Sequence, residues 1–350
     1  MSAGHVLVVG LVALLVGALL NADSLYATAS RQDFGWQRTA ARGVVSPFRA
    51  ISHALHLNQP RAKIEDALGR QAVTGPVARH GISRKPTVVL TPEAPRPVVQ
   101  LRRPTTANPL RVWVGGDSMT QVFGQSLQAR LGARPEMHVD LDYRISTGLT
   151  RPDYFDWPAE LADHVLPSRP EVIVIMFGAN DAQGMELPNG VFQVGEPQWL
   201  AEYRTRVAAT MDLLAGDGRL VVWVGQPYME NGQFSNRMAL LNGIYREEAS
   251  SRPWIRFFDS RPVLSAHGDD GYVTYLPDRS GTPQLARQED GVHLSRFGGD
   301  RLADAVIGLI DDEITASVGP PLVQSGSGPR PPPFPARSRE PPPPLRLGHR

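Results

Sequence analysis

The chain has 350 residues, with 36 Lys and Arg against 35 Asp and Glu, a formal charge of +1 and no cysteine. That balance leaves no electrostatic footprint for a nucleic acid, and the arginines are spread without interleaved aromatics, so no nucleic-acid partner is expected. The absence of cysteine excludes a disulfide framework, thiol catalysis and a thiolate zinc site; prolines gather outside a central span, which predicts one sizeable core.

Residues 1–30 read as a membrane anchor or signal segment. Met1 to Ala22 carries no Asp, Glu, Lys or Arg, and Val6 to Leu20 is an unbroken run of apolar residues and glycine. As a helix, 22 residues span about 33 Å, close to the roughly 30 Å bilayer core. An uncleaved anchor is the favoured reading; a cleaved signal peptide with Ala27-Thr28-Ala29 at its site, and a buried core helix, are the alternatives. Arg31, Arg38 and Arg42 follow the run, and the positive-inside rule taken alone would put the rest of the chain in the cytoplasm.

Residues 31–84 form a juxtamembrane helical segment. Ser46 to Leu57 fits an amphipathic helix through Phe48, Ile51 and Leu55, and Pro60 suits the first turn of another ending near Gly69. Packing against the folded domain is preferred here to lying on the membrane. Residues 85–109 carry six prolines and several arginines, the composition of an extended linker.

The central span begins at 110. Arg111 to Gly115 reads as a strand, and Thr120 to Leu131 as a helix burying Phe123, Leu127 and Leu131. Ser118, in Gly115-Gly116-Asp117-Ser118, then stands at a strand-to-helix turn, where free backbone N–H groups favour a developing oxyanion. Met137 to Ile145 is extended, and Glu171 to Phe177 is a continuous apolar run, as in a strand buried on both faces. That run delivers Asn180 of Gly178-Ala179-Asn180-Asp181 to the same edge, where its amide can donate to an oxyanion without changing charge. Helices are expected near Gln198–Leu214, Phe234–Ser250 and Gly299–Asp312, and strands at Leu220–Gly225 and Ile255–Asp259. This alternation means a parallel sheet with helices on both faces.

A serine hydroxyl is a poor nucleophile at neutral pH and needs an imidazole to take its proton and a carboxylate to fix the tautomer. Asp290 and His293, in Asp290-Gly291-Val292-His293, supply that pair on one face of a short turn. The long segment Ser265 to Glu289 before it is expected to shape the acceptor side, with Tyr272 to Tyr275 as a hairpin strand. After Val318 the chain turns Pro- and Arg-rich, and residues 316–350 are expected to be disordered.

These ordered blocks resemble the SGNH (GDSL-type) hydrolase superfamily over residues 110–315. The resemblance implies a three-layer α/β/α sandwich on a mainly parallel, five-stranded, flavodoxin-like sheet. It implies Ser118, Asp290 and His293 as catalytic residues and an oxyanion hole of Ser118, Gly148 and Asn180, the glycine carried onto Gly148 by its place between the first and third blocks. No cofactor and no metal are implied. The stretch Ser146 to Pro158 is most similar to a bacterial cell-envelope branch resembling the domains that move O-acetyl groups on peptidoglycan and exopolysaccharides. That implies a serine esterase or O-acyltransferase acting on an acylated envelope carbohydrate or a small ester. It also implies a catalytic domain outside the cytoplasm and a membrane acyltransferase as partner.

Taken singly, each motif has a plainer reading: Gly-Asp-Ser as a turn, Gly-Ala-Asn-Asp as a loop, and Asp290 as a helix cap. Their order after apparent strands favours catalysis over a metal site or an inactive relative. No His-Glu-x-x-His, P-loop, Gly-x-Gly-x-x-Gly or Gly-x-Ser-x-Gly pattern occurs. Asp140, Asp142, Asp269 and Asp270 lack the spacing of an EF-hand. The rival of another class is a noncatalytic envelope glycan-binding module on the same fold.

Overall fold

Five parallel strands carry the central span of the computed structural model, which describes residues 3–31, 36–57, 98–266 and 271–318. The strands are β1 (Leu110–Gly116), β2 (Met137–Tyr143), β3 (Val172–Met176), β6 (Leu220–Val224) and β7 (Ile255–Phe258). Two short strands, β4 (Met185–Leu187) and β5 (Gly190–Phe192), form an antiparallel hairpin outside the sheet. Every residue of β3 and β6 is buried, as expected of β-branched central strands covered on both faces.

The helices of this span are α4 (Ser118–Gly132), the short α5 (Trp157–Glu160), α6 (Pro197–Leu213), α7 (Gly232–Ser250) and α8 (Arg296–Val318). Helices α4 and α8 pack together, as do α6 and α7, which gives the three-layer α/β/α sandwich. Phe123, Leu127 and Leu131 of α4 are fully buried. The sheet order is β2-β1-β3-β6-β7. Strand order therefore reverses between β1 and β3, and the crevice for a ligand in such sheets lies at that switch point, beyond the strands' carboxyl ends. Gly115 and Gly116 pair with Ile175 and Met176, so the turns after β1 and β3 emerge side by side.

Three segments differ from the sequence-based expectation. Residues 98–109 pack on the sandwich rather than extending from it: Leu101 is buried, Gln100 donates to the Gly218 carbonyl, and Arg102 forks onto Glu171 at 2.8 and 3.0 Å. Prolines there interrupt regular structure without preventing burial of the residues between them. From Trp157 to Ser168 the chain is helical, with α5 loosening into a wider and then a tighter turn, where no helix is expected from sequence. The hairpin before the His293 loop pairs β8 (Tyr275–Pro277) with β9 (Pro283–Leu285), starting at the last residue of the expected strand. The expected helix beginning at Pro60, residues 85–97 of the linker, Asp269, Asp270 and the tail from 319 lie outside the described residues.

At the N-terminus, α1 (Ala3–Leu20), α2 (Ala22–Arg31) and α3 (Trp36–Ala54) are helical. Helix α3 starts ten residues earlier than the sequence pattern suggests and runs through Pro47. Among the described residues no single helix is long and apolar enough to cross a membrane; Gly4–Leu20 and Ala22–Ser30 pass that test as a pair bent by 76°.

Candidate active site

Ser118 is the first residue of α4, and the cap that starts the helix is its neighbour Asp117, whose Oδ1 accepts from the Met119 N–H at 2.8 Å. The turn is tight enough to require glycine at 116. Its φ is +147°, and a Cβ there would stand 2.2 Å from the Met176 carbonyl oxygen. β1 and β3 thus approach closely where the serine is presented.

Asp290 opens the turn before α8. Its Oδ1 accepts the N–H groups of Val292 and His293, each at 2.9 Å, which brings the imidazole back over the same carboxylate. His293 Nδ1 lies 2.6 Å from Asp290 Oδ2, and His293 Nε2 lies 2.9 Å from Ser118 Oγ. Burial alone would raise the Asp290 carboxyl, but the imidazole and the two N–H groups hold it down at about 2. It is a fixed anion at neutral pH, suited to accept from Nδ1–H and leave Nε2 as the acceptor for the serine proton.

Asn180 stands across the crevice. Its Nδ2 is buried and has no acceptor in the protein, although buried polar groups are almost always satisfied. Ser118, Asn180 and His293 face one cavity of about 380 Å³, whose apolar side is made by Val122, Ile145 and Leu294. An acyl oxygen bound between Ser118 and Asn180 would satisfy that amide.

Gly148 is placed differently. Ile145 and Ser146, not Gly148, line the cavity after β2, and Ser146 takes a left-handed conformation with φ +61°. Gly148 lies behind, where a Cβ would come 2.2 Å from Asp181 Oδ1. The glycine is required there by the approach of a buried carboxylate. Asp181 Oδ1 accepts from the Thr150 N–H at 2.8 Å and the Thr150 hydroxyl at 3.0 Å, and Oδ2 accepts from the Tyr203 hydroxyl at 2.9 Å. Tyr203 in turn lies 2.6 Å from the Tyr245 hydroxyl. Through Asp181 the loop after β2 is tied to the Asn180 turn.

Three further residues hold the site without having been assigned a role from the sequence. Asp117, fully buried, also accepts from the Gly178 N–H at 3.0 Å, so it bridges the first and third blocks. Burial, with the nearby Asp181, pushes its pKa up to about 7 against the pull of the Met119, Gly178 and Asn180 N–H groups. Trp157 donates from Nε1 to Thr147 Oγ1 at 2.9 Å and fixes the loop after β2. Arg287, only 1% exposed, donates to the carbonyls of Tyr228 and Val292 at 2.7 and 2.6 Å beneath the Asp290 turn. Its burial lowers its pKa to about 10. Sequence offers no periodic signal for such residues, since the fold decides which groups they meet. Among the described residues no group of three or more His, Asp or Glu is arranged to hold a metal ion.

A serine–histidine–aspartate chain at the carboxyl edge of the parallel sheet β2-β1-β3-β6-β7, with an open asparagine amide beside it, has the geometry of a serine acyl-transfer site. The chain belongs to the family described as "Protein of unknown function (DUF459)", whose model matches residues 111–308.

Comparison with curated protein sequences gives no match. Among solved structures, a lipase/acylhydrolase from Enterococcus faecalis is 19% identical, covering 58% of this chain and 96% of its own, with a TM-score of 0.41. The catalytic domain of a peptidoglycan O-acetyltransferase from Streptococcus pneumoniae is 16% identical, over 59% and 95% of the two chains, with a TM-score of 0.37. An acetylxylan esterase from Geobacillus stearothermophilus is 18% identical, over 60% and 96%, with a TM-score of 0.40. The chemistry is therefore read from this chain's own geometry.

Proposed function

We propose that the protein is a membrane-tethered serine esterase or O-acyltransferase, acting on an O-acetylated carbohydrate of the cell envelope. The observation that carries the acyl-transfer part is the unbroken chain from Asp290 through His293 to Ser118 Oγ, with the unpartnered Asn180 amide in the same cavity. Ser118 Oγ attacks the acyl carbonyl as Nε2 of His293 takes its proton. The carbonyl oxygen, now anionic, is held by the Asn180 amide and the Ser118 N–H; Gly148, the third donor that the family resemblance assigns, stands behind the cavity wall formed by Ile145 and Ser146. Collapse breaks the bond to the leaving sugar oxygen, which takes the proton back from His293 and leaves an acyl-Ser118. Water or a sugar hydroxyl then attacks the acyl group by the same steps in reverse.

The carbohydrate class is supported by the likeness of Ser146–Pro158 to envelope acetyl-transfer domains, and the tether by the apolar α1. On this reading the catalytic domain stands outside the cytoplasm and works beside a membrane acyltransferase that delivers the acetyl group. The purified full-length protein is to be incubated with acetylated envelope polymers, with and without a sugar acceptor. Acetate release, or acetyl transfer to the acceptor, is the expected result. Neither product, from a protein that cleaves no small aryl ester, would leave the fold as a glycan-binding module. Protease added to intact spheroplasts should digest the catalytic domain; protection would place it in the cytoplasm and remove the envelope substrate.

A further inference from the structure

Helix α3 has one face docked and one face bare. Its docked side runs antiparallel to α2: Arg49 Nε and His53 Nε2 meet Asp23 at 2.9 and 2.8 Å, and Arg42 donates to the Tyr26 hydroxyl at 2.7 Å. Ser52 is fully buried. Both helices reach the catalytic domain: the buried Arg151 donates to the Ser30 carbonyl of α2 at 2.9 Å, and Arg38 of α3 lies 3.8 Å from Asp153. Arg151 follows Thr150, the residue Asp181 holds, so the hairpin is joined directly to the loop behind the active site.

The bare side is apolar along its whole length. Trp36, Ala40, Val44, Pro47, Ile51 and Leu55 are all exposed, and Trp36, Val44 and Leu55 are 78%, 66% and 62% exposed. Their spacing of four, four, three, four and four places them within an arc of about 100° at 3.6 residues per turn. Exposed aliphatics scattered singly need no explanation, but a continuous stripe over five turns does.

We propose that this stripe lies in the interface of a lipid bilayer, with α3 parallel to the membrane plane and the catalytic domain clamped to its opposite face. The proposal rests on the reading of α1 as a membrane-inserted helix. Continuity selects lipid as the occupant: from Val6 to Val16 each valine and leucine of α1 is at least 48% exposed, and α1 joins the hairpin through a single bend of 76° at Asn21, so a hairpin lying in the membrane plane leaves α1 steeply inclined to that plane. The cations of α3, Arg38, Arg42, Arg49 and His53, are on the docked side, and the bare face offers lipid an uncharged apolar stripe. The consequence is a short tether: the domain sits against the headgroups, and its substrate must lie at the membrane surface.

Because the chain has no cysteine, single cysteines report position cleanly. Full-length Leu14→Cys, Val44→Cys, Ile51→Cys and Ser46→Cys proteins, each carrying a polarity-sensitive fluorophore, are reconstituted in phosphatidylglycerol/phosphatidylethanolamine vesicles. Ser46 is an exposed polar position off the stripe. Probes at Val44 and Ile51 should be blue-shifted and quenched by a nitroxide near the lipid headgroup but not by aqueous iodide, with Ser46 the reverse and Leu14 quenched by a nitroxide deep in the acyl chains. Iodide quenching at Val44 and Ile51 with Leu14 still deep overturns the proposal and leaves the anchor standing. Leu14 open to iodide overturns the anchor itself. Protection of Val44 and Ile51 without nitroxide quenching means that protein covers the stripe, which also overturns the proposal; loss of that protection on dilution identifies a second copy.

Discussion

Asp290 and Asp117 serve the same serine from opposite environments. Asp290 stands on a half-exposed turn, bonded to an imidazole and two N–H groups, and is held near a pKa of 2; Asp117 is sealed beneath the serine among backbone N–H groups, and burial lifts it to about 7. One residue type thus does two kinds of work in two environments. At the solvent edge a carboxylate keeps its charge and can steady an imidazolium that comes and goes. Inside, a carboxyl joins two loops, and its charge is a liability partly offset by the N–H groups around it. Chemistry belongs to the first region and geometry to the second.

The sharpest way to break this division is to remove the nucleophile. Ser118→Ala should lower aryl-ester turnover by at least about three orders of magnitude with an unchanged melting temperature. Retention of more than a tenth of the activity would take the chemistry away from the solvent edge. His293→Ala should match that loss. Asp290→Asn should retain more activity than either, roughly tenfold or above, because an orienting acid in comparable triads costs less than the base or nucleophile. Equal rates for wild type and His293→Ala would remove the base.

The buried region answers to stability and pH. Because the folded pKa of Asp117 is raised from 3.8 to about 7, the folded state holds a proton that the unfolded state has released. This contribution is full below about pH 4 and is lost as pH rises through 7. For Asp290 the sign is opposite: its contribution is present above pH 4 and lost as pH falls towards 2. The melting temperature of wild type relative to Asp117→Asn should therefore fall between pH 5 and pH 8, by several degrees at roughly 2–4 °C per kcal/mol for a domain of this size. A constant offset would contradict the assignment of the proton to Asp117. The smallest expected effect is that of EDTA. A serine with its base and oxyanion donors needs no Lewis acid, so exhaustive chelation should leave turnover unchanged, and a loss restored by added metal would overturn the scheme.

What was legible in the sequence follows the same boundary. The strands β1, β3 and β6, the buried face of α4 and the order of the three blocks all carry local signals, either an apolar run or a motif beside one. Those signals place Ser118, Asn180, Asp290 and His293 at one edge before any coordinates are known. The supporting residues carry none. Trp157 reads as one aromatic outside any expected element, Arg287 as one more surface arginine, and Asp181 as the end of a turn, because the groups each one meets are brought near only by the fold. Gly148 shows the limit from the other side. Its position between blocks is readable, but the carboxylate pressing on its Cα, and the Ile145 and Ser146 that take the cavity wall, are not. The packed segment 98–109 was hidden in the same way by prolines that look like a linker.

The central claim is that Ser118 forms a covalent acyl intermediate with His293 as its base. A fluorophosphonate probe followed by peptide mass spectrometry tests it most directly. The account predicts one adduct, on the peptide bearing Ser118, absent from Ser118→Ala and strongly slowed in His293→Ala. An unlabelled Ser118 in protein that hydrolyses an aryl ester, or an adduct on another residue that tracks activity, would contradict it.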